Sequence, residues 1–448
     1  MSQDKRQSIE DVTGVEYQRF LIKYARERLA ADNFYDADFA LQVCHSREPH
    51  NAVMFNLRAL LAYRLGLYQH ALGYVKTALQ IRPKWERAQQ NLALIEKAWV
   101  SQQQHISSKT DDEKIEKFLL INSWGSGLGF DLLYLLQQLL LAEMCQRTPV
   151  IHWGVNSVYN SHPDSDCFSD YFNPISKLGI DDVVGIVPDV FPTIWQSRPL
   201  KDHIRRTRWR NTVNGQFYKI AGPYYLNRSE KLVVSGEFST IKMLLPWMLD
   251  DFHYANMAKT PTAITDIYRD LIKRYLKPKK YLQNRADKFI QQSFKKTKGS
   301  KKPAEFIAIH LRGTDKHREK QSNSLAEINA ELINQVEQYE KQLPIFVMTD
   351  DSRQIETMKK RFGDRIHALD VTRSTDDDVG IHLTGKNKKK LAEEVIVDML
   401  IAQKASHFFG CGFSYLACVI SYMRASDDSS TLLPMDLMTR FMDIPVPE

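Results

Sequence analysis

The chain has 448 residues, of which 43% are hydrophobic and 26% are charged, with a formal net charge of +7 at pH 7. A chain of this length is expected to form two or three domains, and its composition is that of an ordinary globular protein. The modest positive charge suits a phosphate, a nucleotide or an anionic membrane surface, but it equally suits a soluble protein with additional lysine. The basic stretches, such as residues 205–210, lack the interleaved aromatics of a nucleic-acid platform, so nucleic acid is not expected as a partner.

The N-terminal region contains a repeat of 34 residues, and small residues coincide when the sequence is shifted by that period: Ala25 with Ala59, Ala37 with Ala71, and Cys44 with Ala78. A proline recurs at the same spacing. This pattern resembles tetratricopeptide repeats, in which small residues let paired helices pack closely. It predicts an all-α domain over residues 1–103, with about two repeats and a capping helix over 84–103. Residues 20–103 would then bind a protein partner or mediate self-association; the alternative is a helical cap that only packs on the next domain.

A polar linker over residues 104–115 precedes a first α/β domain, predicted over residues 116–302. This domain begins with a unit of α/β type. The unit consists of a strand over 118–121, a glycine-rich segment, a helix ending near Arg147 and a strand over 149–153. Residues 155–247 are rich in Asn, Ser, Pro and aromatic residues, which predicts long loops over a site rather than a core. Helical patterns resume over 262–294.

A charged stretch over residues 295–303 marks the second boundary, and a second α/β domain is predicted over 303–448. Strands alternate regularly with helices in this domain. The predicted strands cover 306–311, 345–348, 367–371 and 407–410, and the predicted helices cover 325–343, 351–362, 389–404 and 415–424. This alternation predicts a doubly wound parallel sheet, and two α/β domains in tandem predict a ligand cleft between them.

Polar residues gather where the predicted strands end, which is where parallel sheets bind ligands. The first strand of the second domain contains His310 near its end, and Arg312, Asp315 and Lys316 follow it. Arginine binds phosphate well because its planar fork donates two charge-assisted hydrogen bonds. The alternative is a surface turn whose ions pair with each other. Upstream, the glycine-rich segment could offer free N–H groups to an anion at a helix N-terminus, or it could be a plain tight turn.

Three further positions have two interpretations each. Asp350 could face a ligand or cap the following helix, and Ser414 could offer its hydroxyl and N–H to a phosphate or act as an ordinary N-cap. Asp398 stands inside the apolar helix VIVDMLIA, where a buried carboxylate is costly unless it is paired. It could clamp a basic residue, or it could accept from the N1–H and N2 amine of a guanine.

Five segments together resemble the α1,6-fucosyltransferases, which include core and nodulation fucosyltransferases. They are HLRGTDK, VMTDDS, VIVDMLIAQKASHFFGCGFSYLAC, GSGLGFDLLYLL and RYLKPKKYLQ. The resemblance spans about residues 117–423 and leaves the tetratricopeptide-like region outside. It implies a GT-B-like pair of Rossmann-type α/β domains and an inverting, metal-independent transfer from GDP-fucose. No cofactor is implied beyond that donor, and the acceptor would be a glycan or a lipid-linked glycan.

The resemblance also implies a role for individual residues. Arg312 would hold the β-phosphate of GDP, His310 through its backbone and Asp398 would bind guanine, and Ser414 would touch the phosphate. Asp315 and Asp350 would orient the arginine loop. Two glycines, Gly127 and Gly129, would let the first domain close over the donor.

The catalytic base in this family is a glutamate shortly after the arginine motif, linked to the lysine of that motif. Glu319 with Lys316 is the best match here, although the strictly aligned position is Lys320, and an ordinary surface glutamate is the alternative. The family has two consecutive arginines, whereas here the second position is Gly313. This departure leaves open a different nucleotide sugar.

The five cysteines are scattered without metal-ligand spacing, which predicts reduced thiols and no metal site. The start, MSQDKRQSIEDV, lacks the apolar run of a signal peptide, and the longest apolar stretch, 132–142, is too short to span a bilayer. These features predict a cytoplasmic protein with at most peripheral contact at the inner face of a membrane, and they favour bacterial surface-polysaccharide assembly. A tetratricopeptide scaffold with a non-catalytic nucleotide-binding domain is the alternative function.

Overall fold

The computed structural model of the protein describes residues 14–107, 116–162, 165–202, 225–235, 240–294, 305–313, 325–339, 342–374, 387–426 and 429–433. Its N-terminal part is helical: α1 (Gly14–Ala30), α2 (Phe34–Arg47), α3 (Ala52–Arg64), α4 (Tyr68–Ile81) and α5 (Glu86–Ser107). The small residues of the 34-residue period, among them Ala25, Ala59 and Ala71, are buried between these helices. The last helix enters the predicted linker and continues to Ser107, so the prediction of a linker from residue 104 was wrong at its start.

The first sheet has four parallel strands in the order β2-β1-β4-β3. The strands are β1 (Phe118–Asn122), β2 (Thr148–His152), β3 (Val190–Phe191) and β4 (Leu232–Val234), and α6 (Leu128–Met144) connects the first two. The unit predicted around the glycine-rich segment is therefore confirmed.

The segment after β2 contributes more to the core than its composition predicts. It supplies β3 and β4, and it buries Trp195 and Trp247 completely or nearly so. The expectation of loops over a site was wrong for these described parts, because strands of two or three residues leave no readable periodicity. The segment also has two short helices, α7 (Phe168–Tyr171) and α8 (Ile180–Val183), and α9 (Ile241–Leu244) follows β4.

The helical patterns predicted over residues 262–294 form two helices, α10 (Ala263–Tyr275) and α11 (Lys280–Ser293). Pro278 lies between them, where a proline prevents the helix from continuing. In the first of these helices, Tyr268 stacks on Tyr422 of the C-terminal helix Tyr415–Met423, with ring centroids 4.7 Å apart.

The second sheet has five parallel strands in the order β7-β6-β5-β8-β9. The strands are β5 (Ile307–Leu311), β6 (Ile345–Thr349), β7 (Ile366–His367), β8 (His407–Cys411) and β9 (Ser430–Leu433). The helices are α12 (Leu325–Tyr339), α13 (Ser352–Phe362), α14 (Lys388–Gln403) and α15 (Tyr415–Met423). This arrangement confirms the predicted alternation and parallel sheet, but β7 is only two residues long instead of 367–371, and β9 was missed.

The two sheets share one hydrophobic core. It joins α6 and Leu119 of the first sheet to α14, α15 and Phe346 of the second. None of the five cysteines, all within the described residues, forms a disulfide. No helix of the described residues is long and apolar enough to cross a bilayer.

Candidate functional site

The candidate site lies at the carboxyl edge of the second sheet. β5 is the central strand, and it pairs in parallel with β6 on one side and β8 on the other. Their C-terminal residues are Leu311, Thr349 and Cys411, so Arg312, Asp350 and Ser414 all follow at one edge. Ligands of open α/β sheets bind at such an edge.

Arg312 and Asp350 meet at this edge. Nη1 of Arg312 lies 3.2 Å from Oδ2 of Asp350, and the two side chains are 19% and 13% exposed. Asp350 also accepts a hydrogen bond from the N–H of Gly313 at 2.8 Å, and Asn329 Nδ2 donates to the carbonyl of Arg312 at 2.8 Å. One carboxylate thus holds both the guanidinium and the backbone that carries it.

Gly313 departs from the two-arginine pattern for a steric reason. A Cβ at this position would lie 2.4 Å from Cβ of Asp351 and 2.9 Å from Oδ1 of Asp350. No side chain fits there unless the aspartates move. The space that a side chain at position 313 would need is therefore occupied by Asp351 and by Asp350, the partner of Arg312.

The two aspartates after β6 have different roles: one caps the following helix, and the other faces Arg312. Asp351 is the N-cap of α13: its Oδ1 accepts from the N–H of Arg353 at 2.9 Å, and its carboxylate pairs with the guanidinium of Arg353 at 2.7 Å. Asp350 does not cap the helix but faces Arg312. The capping role belongs to the second aspartate, which leaves the first for the edge of the sheet.

His310 is buried near the end of β5, and its side chain is 4% exposed. Burial, reinforced by the nearby Arg312, lowers the pKa of His310 to about 4, while Asp350 opposes the shift. The ring is neutral at pH 7. Its Nδ1 has no hydrogen-bond partner within the described part of the chain.

Asp398 is buried in α14, which packs on β5. Burial raises the pKa of Asp398 to about 8; Arg373 lowers it in part, and Glu394 raises it further. Oδ1 of Asp398 has no hydrogen-bond partner among the described residues. The guanidinium of Arg373 is directed to a backbone carbonyl instead, with Nη2 donating to the oxygen of Leu369 at 2.8 Å. The interpretation of Asp398 as a structural clamp is thus disfavoured. Its carboxyl group, mostly protonated at pH 7 without a ligand, keeps Oδ1 available for one.

Ser414 is the N-cap residue of α15, and it is 5% exposed. Its hydroxyl makes no capping hydrogen bond, although that is the usual role of serine at this position. Its N–H donates to the carbonyl of Cys411 at 2.9 Å, so the expectation that this N–H is free for a phosphate was wrong. The hydroxyl is the group that Ser414 can offer.

The glycine-rich loop is organised by a carboxylate that the sequence analysis overlooked. Asp131 is fully buried, and its Oδ1 accepts from the N–H groups of Gly125 at 3.2 Å and Ser126 at 3.3 Å. Ser123 donates its hydroxyl to the same carboxylate at 2.5 Å, and the hydroxyl of Tyr159 accepts from the N–H of Leu128 at 3.0 Å. The expectation of free loop N–H groups was wrong for these three. An aspartate inside an apolar helix, the signal that identified Asp398, was also present here.

Gly129 and Gly127 occupy different environments. A Cβ on Gly129 would lie 2.4 Å from the backbone nitrogen of Leu416 at the start of α15, whereas a Cβ on Gly127 meets nothing within 4 Å. Phe130 and Tyr415 form an edge-to-face pair beside this contact, with centroids 4.8 Å apart. The first turn of α6 therefore lies against the start of α15.

We expect Gly129→Ala to lower the free energy of unfolding by about 2–3 kcal/mol, because backbone atoms of α15 cannot yield without separating it from α6. Chemical denaturation measures this change. Gly127→Ala is the matched control, and its effect should stay within about 1 kcal/mol, the usual cost of alanine in place of an N-cap glycine. Equal effects of the two variants would contradict the proposed close packing.

Three predicted residues, Asp315, Lys316 and Glu319, lie outside the described residues. Within the described residues, no group of three or more His, Cys, Asp or Glu side chains is arranged to hold a metal ion. The structure thus brings together His310, Arg312, Asp350 and Ser414 at one edge, with Asp398 on the helix that packs on β5.

No family model and no curated protein matches the chain. Solved structures similar to it include NodZ α-1,6-fucosyltransferase soaked with GDP-fucose, at 18% identity over 69% of this chain and 93% of that one, with a TM-score of 0.45. POFUT1 in its apo form is similar at 14% identity over 73% and 100% of the two chains, with a TM-score of 0.41. A FUT1 variant of Arabidopsis thaliana in complex with GDP is similar at 13% identity over 73% and 76%, with a TM-score of 0.43. Because each TM-score is below 0.5, this likeness does not by itself define the fold or the function of the chain.

Proposed function

We propose that this protein is an inverting, metal-independent glycosyltransferase that transfers fucose from GDP-fucose to a hydroxyl of a glycan acceptor. The observation that carries the proposal is the pairing of Arg312 with Asp350 at the edge of the second sheet, with the buried carboxylate of Asp398 on the adjoining helix. The guanidinium of Arg312 suits a diphosphate, and the carboxyl group of Asp398 suits the edge of guanine that carries the N1–H and N2 donors. The order and spacing of the sequence motifs add support from the resemblance to α1,6-fucosyltransferases.

In the proposed reaction, the bond between fucose and the β-phosphate breaks while the acceptor oxygen attacks the opposite face of the sugar. Negative charge then develops on the β-phosphate of the leaving GDP. Arg312, held in place by Asp350, stabilises that charge because its guanidinium needs no reorganisation during the step. The hydroxyl of Ser414 would donate a further hydrogen bond to the phosphate.

The acceptor hydroxyl must lose its proton to a base on the face opposite to GDP. We propose Glu319 for this role, with Lys316 linked to it and Asp315 helping to orient the arginine loop. Backbone groups of His310 would contact the guanine beside Asp398. Gly127 and Gly129 would bring the first domain against the donor.

We further propose that the acceptor belongs to bacterial surface-polysaccharide assembly and that the reaction takes place in the cytoplasm. In this proposal, residues 1–103 belong to tetratricopeptide-like repeats whose last helix continues to Ser107. A first α/β domain covers residues 116–302, and residues 303–448 form the nucleotide-sugar domain of a GT-B-like pair. The absence of space beside Gly313 for a second arginine favours one alternative, a GDP-sugar other than GDP-fucose.

Calorimetry with GDP, UDP and CDP in the presence of a chelator tests the nucleotide assignment. We expect binding of GDP alone, unchanged by the chelator. Preference for another nucleotide would overturn the role proposed for Asp398, and binding of none would favour a tetratricopeptide scaffold without transferase activity.

Gly313→Ala is expected to weaken GDP binding by about tenfold, because the new methyl group would displace Asp350 and loosen its grip on Arg312. Titration calorimetry measures the change. Gly73→Ala serves as the control, since a Cβ on Gly73 in α4 meets nothing within 4 Å. Unchanged GDP affinity in Gly313→Ala would show that the position of Asp350 does not matter for binding.

A further inference from the structure

The loop over residues 369–374 follows β7 and is attached to the helix that carries Asp398. The backbone N–H of Thr372 in this loop donates to Oε2 of Glu394 at 3.2 Å. Glu394 is 4% exposed and lies one helical turn before Asp398 in α14, so the two carboxyl groups lie on the same side of that helix. The loop therefore reaches α14 within one turn of Asp398.

The other end of the same loop is attached to the edge of the second sheet. The N–H of Ser374 donates to the carbonyl of Asp350 at 2.8 Å, and the N–H of Ser352 donates to the carbonyl of Ser374 at 3.2 Å. Asp350 is the residue whose carboxylate pairs with Arg312. The loop thus connects the two parts of the candidate site and is hydrogen-bonded to both.

Arg373 lies between these two attachments, and the loop uses only part of its guanidinium. Nη2 donates to the carbonyl of Leu369 at 2.8 Å, and Nη1 donates to the carbonyl of Val371 at 3.5 Å. A guanidinium has five N–H donors, and the buried Nε of Arg373 has no hydrogen-bond partner within the described part of the chain. Nor does Arg373 form an ion pair with a described residue. The loop therefore holds a positive charge in place without neutralising it.

The charge of Arg373 acts on the carboxyl group of Asp398. Burial raises the pKa of Asp398 to about 8, Arg373 opposes that rise, and Glu394 adds to it. Glu394 is itself paired with Lys390, whose Nζ lies 3.5 Å from its Oε1. Without a ligand the carboxyl group of Asp398 is mostly protonated at pH 7, so Arg373 has no ionised partner in it.

We propose that Arg373 is a positioning residue of the guanine site, where its charge stabilises the carboxylate of Asp398 once the N1–H and N2 donors of guanine bind it. Asp398 would release its proton to solvent as guanine binds, and the cation that the loop holds would gain an ionised neighbour. Arg373 acts through Asp398 and needs no contact with the nucleotide. This inference rests on the proposed function, because it assumes that guanine binds Asp398.

Titration calorimetry with GDP at pH 7 and pH 8.5 tests this inference on the full-length protein. In the wild type we expect GDP affinity to rise by about eightfold between these pH values, because a larger fraction of Asp398 is then ionised before binding. Arg373→Ala should bind GDP about tenfold more weakly than wild type at pH 7 but only about threefold more weakly at pH 8.5. The deficit shrinks because the higher pH offsets the lost help in ionising Asp398. Arg373→Lys keeps the charge and should bind GDP more tightly than Arg373→Ala at pH 7.

Two further variants serve as controls. Arg365 also donates to a backbone carbonyl in the second α/β region, since its Nε lies 2.9 Å from the carbonyl oxygen of Leu343. Arg365→Ala should therefore leave GDP affinity unchanged at both pH values. Asp398→Asn lacks the titrating carboxyl group, so it should bind GDP without the rise between pH 7 and pH 8.5, and any rise that remains belongs to the nucleotide.

An equal loss of GDP affinity in Arg373→Ala at both pH values would overturn the inference, because Arg373 would then only support the loop. Equal affinities of Arg373→Ala and Arg373→Lys at pH 7 would overturn it as well, because the charge would not matter. Neither result touches the proposed function, since the wild type would still bind GDP. Failure of the wild type to bind GDP would overturn both.

Discussion

Arg312→Ala is expected to weaken GDP binding by about 100-fold while the protein remains folded. The guanidinium is mostly buried and paired with Asp350, so a diphosphate bound there would gain a charge-assisted contact that is shielded from water. Its removal also leaves the carboxylate of Asp350 close to the diphosphate, and the two negative charges repel. Isothermal calorimetry with GDP measures the loss.

Arg361→Ala provides the matched control for this variant. Arg361 lies in the same α/β region and pairs with Glu337 on the surface, so its removal should leave GDP affinity unchanged. Circular dichroism should show wild-type folding for both variants. If Arg312→Ala binds GDP as wild type does, the sheet edge is not the diphosphate site.

Asp398→Asn is expected to abolish the preference for GDP over inosine diphosphate. Inosine lacks the N2 amine. The N1–H and N2 donors of a bound guanine would stabilise the ionised form of Asp398, which is mostly protonated at pH 7 without a ligand, so the site should favour GDP by about 10- to 100-fold. The asparagine variant keeps the size of the side chain but presents an N–H donor in place of one oxygen. Calorimetry with both nucleotides gives the ratio, and Glu393→Gln on the same helix is the control. A preserved preference in Asp398→Asn would exclude the guanine role.

The same variant should change how stability depends on pH. Because the pKa of Asp398 is raised to about 8 in the folded protein, the native state holds this proton while the unfolded state releases it near pH 4. Its contribution to stability is therefore fully present below about pH 4 and is lost as pH rises to about 8. At pH 8 we expect Asp398→Asn to be more stable than wild type by about 5 kcal/mol, with little difference near pH 4. Denaturation series at several pH values measure this difference.

Strands β1, β5, β6 and β8 could be predicted because each is a mostly apolar run between turn signals. The strands that escaped prediction, such as β3 and β4, are two or three residues long and are defined by pairing with distant strands. Short runs of this kind carry no periodicity of their own. Their place in the sheet is a tertiary property.

Some features of the candidate site could likewise be predicted from the sequence, and others could not. Asp398 could be found because a carboxylate in an apolar helix is unusual, and Arg312 because it follows a buried strand. The steric restriction at Gly313 could not be predicted, since it depends on Asp351, which follows the neighbouring strand β6. The sequence also could not show which of Asp350 and Asp351 caps α13, because that depends on the direction in which each side chain points.

The most direct test of the central claim is GDP release from GDP-fucose by the full-length protein, in the presence of a chelator and a pool of oligosaccharide acceptors. GDP-mannose and UDP-glucose serve as comparison donors, and Arg312→Ala serves as the inactive reference. The account predicts release from GDP-fucose that the chelator does not change and that Arg312→Ala reduces by at least about 100-fold. Release of UDP from UDP-glucose alone, or no release of GDP from any GDP-sugar, would contradict the account.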